Sequence, residues 1–339
     1  MAGRISLLLI TFGLLTEAIF AESPVDRHVW LSAKLYHGYL MVVEGSIGGE
    51  QHRTLLIDTA AYPSVIDEDL ARKLRLSSTG DQVRLVGGSL KSAATVVPVL
   101  QVGPVTAHDL PVQVQDLRAV GKKIGTHLDA LIGLDVLGHS NFRIDYAQAQ
   151  LVFGPVGVLP ASAPLRQIDG MTCVDTRING QVVHLLVGSA ASGVTVLGDR
   201  APHIDEQEGK AHKSTNLGGR VSTRQVHVER LALGGTELGP REIFVTAPDN
   251  LAPLPFDGLL GTGTLGFGQV AFDFEHQVLS WQTSETKKRK TTALQASRTI
   301  NPNQPPLEGS DPMSEPPVRC PSLQGASAGC TSIVSMPQR

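Results

Sequence analysis

The chain has 339 residues, 41% of them apolar and 18% charged, with a formal net charge of −3. That balance suits a packed globular protein and excludes the strongly basic surface that would select a nucleic acid or an anionic membrane. Thirty-five glycines and only 4% aromatics favour short strands joined by tight turns.

In chain order, Arg4 followed by the apolar run 5–15 and a cleavage zone at 18–21 reads as a secretory signal over 1–21. The run is short for a bilayer span, and Glu17 interrupts it. An exported protein, periplasmic or extracellular, is expected. Residues 42–46 and 54–57 read as strands flanking the Gly48-Gly49 turn. Residues 67–74 carry an N-cap candidate, Asp67, and leucines at 70 and 74, which predicts one short helix. Residues 83–86 and 93–102 flank a second hairpin at Gly87-Gly88, and 141–153 reads as a strand pair around Ala147-Gln148. Residues 154–164, rich in Gly, Pro and Ala, read as a linker.

After Trp281 the composition changes. The run Lys287-Lys288-Arg289-Lys290 opens a Pro-, Ser- and Gln-rich tail. Such a segment, 284–339, has too little apolar surface to fold, so disorder is expected there. Cys173 lies in an apparent strand and is expected as a buried thiol. Cys320 and Cys330 could pair across a short loop in an oxidising compartment.

The middle of the chain reads as a duplicated β-rich unit. The first copy runs over about 35–153 and the second over about 171–281. Ile47-Gly48-Gly49 matches Ile178-Asn179-Gly180, and Leu55-Leu56-Ile57-Asp58-Thr59-Ala60-Ala61 matches Leu185-Leu186-Val187-Gly188-Ser189-Ala190-Ala191. Val86-Gly87-Gly88 matches Leu217-Gly218-Gly219, and Leu131-Ile132-Gly133 matches Leu259-Leu260-Gly261. Arg143-Ile144-Asp145-Tyr146 matches Ala271-Phe272-Asp273-Phe274. The spacings agree: Asp58 to Gly87 is 29 positions and Gly188 to Gly218 is 30, while Gly133 to Asp145 and Gly261 to Asp273 are both 12.

This pattern resembles the retroviral and pepsin-like aspartic proteases. An apolar strand runs into Asp58-Thr59, a Gly-Gly hairpin follows at flap distance, and Leu131-Ile132-Gly133 stands where that family has an apolar-apolar-Gly loop. The resemblance implies an all-β, bilobal acid-protease fold of two closed-barrel lobes with a cleft between them. Lobe 1 is expected over 30–154 and a degenerate lobe 2 over 165–283. It further implies that Asp58 is catalytic, that Thr59 braces its loop, and that Val86, Gly87 and Gly88 form a substrate-binding flap. The substrate would be an extended peptide or protein, with no nucleic-acid partner, no cofactor and no metal.

The sequence departs from the family at Ala60 and Ala190, where glycine is usual, and at Gly188. In the family two aspartates share one proton, one serving as base to water and the other as donor to the scissile carbonyl. Gly188 has no side chain, and Ser189 is no acid near neutral pH, so the second site is degenerate. Three arrangements remain open. Two chains could pair their Asp58 residues as a homodimer, another carboxylate such as Asp135 could enter the site, or the chain is a pseudoprotease that binds peptides without cutting them.

Other motifs fail on context. Gly261-Thr262-Gly263-Thr264-Leu265-Gly266 has dinucleotide-loop spacing, but a strand rather than a long helix is expected after it. The eleven histidines include no HExxH, and Gly188-Ser189 does not form a GxSxG elbow.

Overall fold

The computed structural model describes residues 28–284, apart from 86–87, 201–203, 205–208, 217–218 and 248–253. The signal segment, both tail cysteines and the basic run lie outside the described residues.

The first half contains β1 (Val29–Ser32), β2 (Lys34–Tyr36), β3 (Leu40–Ile47), β4 (Glu50–Ile57), β5 (Val65–Asp67) and α1 (Glu68–Lys73). It continues with β6 (Thr79–Leu85), β7 (Gly88–Val102), β8 (Val105–Gln115), α2 (Arg118–Ile124), β9 (Ala130–Ile132), α3 (Leu134–Leu137), β10 (Phe142–Asp145) and β11 (Gln150–Phe153). The second half contains β12 (Ala161–Pro164), β13 (Arg166–Ile168), β14 (Met171–Ile178), β15 (Gln181–Gly188), β16 (Val194–Leu197), β17 (Lys210–Asn216) and β18 (Gly219–Leu233). It ends with β19 (Thr236–Thr246), β20 (Gly258–Gly261), a 3₁₀ turn (Gly263–Leu265), β21 (Phe267–Asp273) and β22 (Val278–Thr283).

The protein is all-β and bilobal. Lobe 1 is a sheet of order β2-β3-β4-β9-β5-β8-β7-β6, and a β3–β7 pairing closes its middle strands into a six-stranded barrel. Lobe 2 has the order β13-β14-β15-β20-β16-β19-β18-β17, with β14–β18 making the same closure. The two orders correspond strand for strand. A third sheet, β1-β11-β10-β21-β22-β12, joins the lobes, with β10 and β21 antiparallel at its centre. Here the expected linker contributes a strand: its last four residues are β12, at the sheet edge where Pro164 removes no needed donor.

Local chemistry explains the main elements. Gly48-Gly49 takes φ +59° and +85°, the primed-turn geometry that joins β3 to β4. Asn179-Gly180 makes the same turn in lobe 2, Asn being the non-glycine residue that best tolerates positive φ. Asp67 caps α1 by accepting the Asp69 amide at 2.9 Å. Residues 55–57 and 130–132 are fully buried apolar runs because β4 and β9 pair in parallel and are covered on both faces. Burying each such Leu or Ile contributes about 1.5–3 kcal/mol. In the joining sheet, Phe142 stacks on Phe272 at 4.7 Å across the lobe boundary, and Phe267 packs on Trp281 at 5.5 Å.

Candidate active site

β4 and β15 end side by side, and the residues after them meet across the lobe boundary. The Thr59 amide donates to Ser189 Oγ (3.1 Å), and Thr59 Oγ1 donates to the Val187 carbonyl (2.8 Å). In return, the Ser189 amide donates to Thr59 Oγ1 (3.0 Å), and Ser189 Oγ donates to the Ile57 carbonyl (2.9 Å). Each hydroxyl thus accepts one bond and donates another, and all four bonds cross between lobes of the same chain. Both residues are fully buried, where an unsatisfied polar group costs about 1–3 kcal/mol. The clasp fixes the two loops relative to one another.

Asp58 stands at one side of this clasp and Gly188 at the other. Asp58 is fully buried. Its amide donates to the Ile132 carbonyl (3.0 Å), and its Oδ1 accepts the Ala60 amide (3.1 Å). Gly188 is the last residue of β15, aligned with Gly261 in a parallel pair, one position beyond Val187–Leu260, the counterpart of Ile57–Ile132. Its backbone is that of the strand it ends, with no positive φ to require glycine.

The apolar-apolar-Gly segments lie directly beneath the loops. A Cβ at Gly133 would overlap the Ala61 carbonyl oxygen, and one at Gly261 would overlap the Ala191 carbonyl oxygen. The glycine in each lobe is therefore demanded by the backbone passing over it.

Asp135 is engaged elsewhere than with Asp58. The Ser64 amide donates to its Oδ2 (2.7 Å) and Ser64 Oγ to its Oδ1 (2.6 Å), while Ser64 Oγ accepts the Gly133 amide (2.9 Å). Burial pushes the Asp135 carboxyl above its ordinary value, against the pull of the Ser64 bonds. These contacts buttress the loop that carries Asp58. At the corresponding lobe 2 positions stand Val194 and Gly263, so that buttress exists only beside Asp58. Sequence reasoning missed Ser64. Aligning the two copies residue by residue would have shown the Ser64–Asp135 pair in one and not the other.

Tyr146 and Thr262 were also missed. The Tyr146 hydroxyl lies 2.7 Å from Thr262 Oγ1, and the Thr262 amide donates to the Gly188 carbonyl (3.1 Å). Of the expected flap residues, Val86 and Gly87 lie outside the described residues, while Gly88 opens β7 opposite Leu85 in a long β6–β7 hairpin. Lobe 2 has a matching hairpin in β17–β18, with Asn216 opposite Gly219. Cys173 is buried and free, its thiol pushed up to about 12 by burial. Among the described residues, no group of three or more His, Cys, Asp or Glu could hold a metal ion.

The chain belongs to the aspartyl protease family: that family's model matches residues 43–136 and 174–264, together more than half of the chain. Among solved structures, the aspartic proteinase from Irpex lacteus is similar, with 13% identity over 76% of this chain and 97% of that chain and a TM-score of 0.46. A comparison with curated protein sequences finds no match.

Proposed function

We propose that this protein is an aspartic-type endopeptidase acting on extended peptides, with Asp58 as the carboxylate that activates water and the single chain as the working unit. The observation that carries this reading is the four-bond clasp between Thr59 and Ser189, which sets the Asp58 loop against its degenerate counterpart within one chain. Family membership supports the protease type, and the Ser64–Asp135 buttress beneath the Asp58 loop supports lobe 1 as the working half. A homodimer joining two Asp58 loops would have to break these four bonds within the chain and re-form them between chains. The single-chain reading needs no such exchange.

The chemistry asks three things of the site: a base for the attacking water, a fixed position for that water, and a donor to the carbonyl oxygen as charge develops on it. Asp58 supplies the first, and the clasp holds it in place. The resemblance to the family makes the β6–β7 hairpin, whose described residues include Gly88, the flap over the substrate. The Arg4-led apolar segment supports export as the setting of this activity.

The second reading, a peptide-binding pseudoprotease, is favoured by Gly188 alone. Incubating the purified protein with an unfolded protein substrate across acid and neutral pH separates the two. The proposal expects cleavage by the native chain and none by Asp58→Asn, whose amide cannot take a proton from water. Peptide binding without cleavage by either form would favour the pseudoprotease.

A further inference from the structure

The two halves of the site differ beneath their loops as well as within them. Under the approximate two-fold relation between the lobes, Tyr146 corresponds to Phe274 and Thr262 to Leu134. On the Asp58 side the corresponding residues are both apolar, Leu134 in the core and Phe274 partly buried against it. On the Gly188 side it is Thr262 with Tyr146, two hydroxyls 2.7 Å apart, both buried. Thr262 is anchored there by the hydrogen bond its amide donates to the Gly188 carbonyl, and the Tyr146 amide donates to the Gly268 carbonyl at 3.0 Å. The half of the site that lacks its carboxylate is the half that carries the two hydroxyls.

We propose that the Tyr146–Thr262 hydroxyl pair is the hydrogen-bond donor that serves Asp58 where other members of the fold would have a second carboxylate. The inference rests on Asp58 being the working carboxylate. A proton inventory supports it. Two hydroxyls hold two protons, and their mutual bond uses one, leaving the other for an acceptor beyond the pair. Burial raises the phenol well above its ordinary value, and the nearby Asp58 charge raises it further. The pair therefore stays protonated wherever Asp58 is ionised, as a donor must. A neutral hydroxyl beside a carboxylate also avoids the repulsion that makes two aspartates share a proton.

Other titratable groups are packed around the loops. Asp135 on α3 is bonded to Ser64. Tyr62, in the loop after Asp58, packs against Gly170, and Tyr39, between β2 and β3, packs against Gly263. Cys173 on β14 clusters with Ala60 and is kept neutral by burial. Tyr146 and Thr262 are positioning residues that act through Asp58.

The test is the titration of the Asp58 carboxyl, followed by carbon NMR on aspartate-labelled protein and assigned with Asp58→Asn. Removing a donor destabilises the ionised form, so Tyr146→Phe and Thr262→Val should each raise the Asp58 pKa by about one unit. Thr262→Ser, which keeps the hydroxyl, should leave it near the native value. If the native chain cleaves peptides, the acid limb of kcat/KM should move with the same shift. An Asp58 titration unchanged in folded Tyr146→Phe, or in folded Thr262→Val if the tyrosine variant does not fold, would overturn the proposal. Because the titration is read without cleavage, an inactive native protein would count against the peptidase reading and leave this result intact.

Discussion

Thr59 and Ser189 each use one hydroxyl to bind the other's amide and to donate across the lobe boundary, so neither can be removed without orphaning groups on both sides. Thr59→Val should destabilise the fold by about 2–4 kcal/mol, and Ser189→Ala by a similar amount. Because the two act as one unit, the double variant should lose clearly less than the sum of the single losses, as measured by urea denaturation. Additive losses would mean that the loops are held by something else. Asp135 gives a pH signature. Its folded-state pKa is raised, so the folded protein holds that proton more tightly than the unfolded chain. The resulting stability is fully present below the ordinary carboxylate pKa and is lost as pH rises through the folded value. The native protein should therefore lose stability relative to Asp135→Asn as pH rises across that window, and a pH-independent difference would contradict the assignment. At this scale the sequence marks Asp58, Thr59 and Gly188 because each sits in a local pattern of fixed form. Tyr146 and Thr262 fall in repeated segments that do not mark them as a pair: they are 116 positions apart, and their relation exists only once the lobes are joined.

Elements built from strong local signals are legible in the sequence. The Gly48-Gly49 turn, the α1 helix with its Asp67 cap and the β10–β11 pair fall close to where residues 42–57, 67–74 and 141–153 place them. Helices α2 and α3 escape notice for physical reasons. One carries the weak helix former Gly121 in its middle, where a side chain would crowd the Thr126 carbonyl at 2.6 Å, and the other is a single turn of four residues, too short for any periodicity. Strand β1 and the edge strand β12 are equally hidden, since both gain their partners from the joining sheet rather than from neighbours in sequence. The close packing of β9 under the Asp58 loop yields a prediction at the same scale. Gly133→Ala would drive a methyl into the Ala61 carbonyl and lift that loop. It should cost about 1–3 kcal/mol by overpacking and impair cleavage more than its stability loss explains, whereas Gly49→Ala, with open space around its Cβ, should cost only the strain of a positive φ. Thermal melts and initial rates of both variants compare the two effects.

At the scale of the whole molecule, the repeated blocks forecast two lobes of one topology, and the strand orders agree. They did not forecast that the third sheet would interleave the halves, with β10 hydrogen-bonded to β21, because pairing between lobes leaves no trace in the pattern of either. That sheet and the Thr59–Ser189 clasp together tie the two halves of one chain around the candidate site. The central claim, a single-chain peptidase that depends on one aspartate, is tested most directly by specific activity against protein concentration for the native chain and Asp58→Asn, with mass in solution followed in parallel. The account predicts a constant specific activity from the monomer and none from the variant. Activity that rises with concentration alongside dimer formation, or a native chain that is inert until Gly188→Asp supplies a second carboxylate, would contradict it.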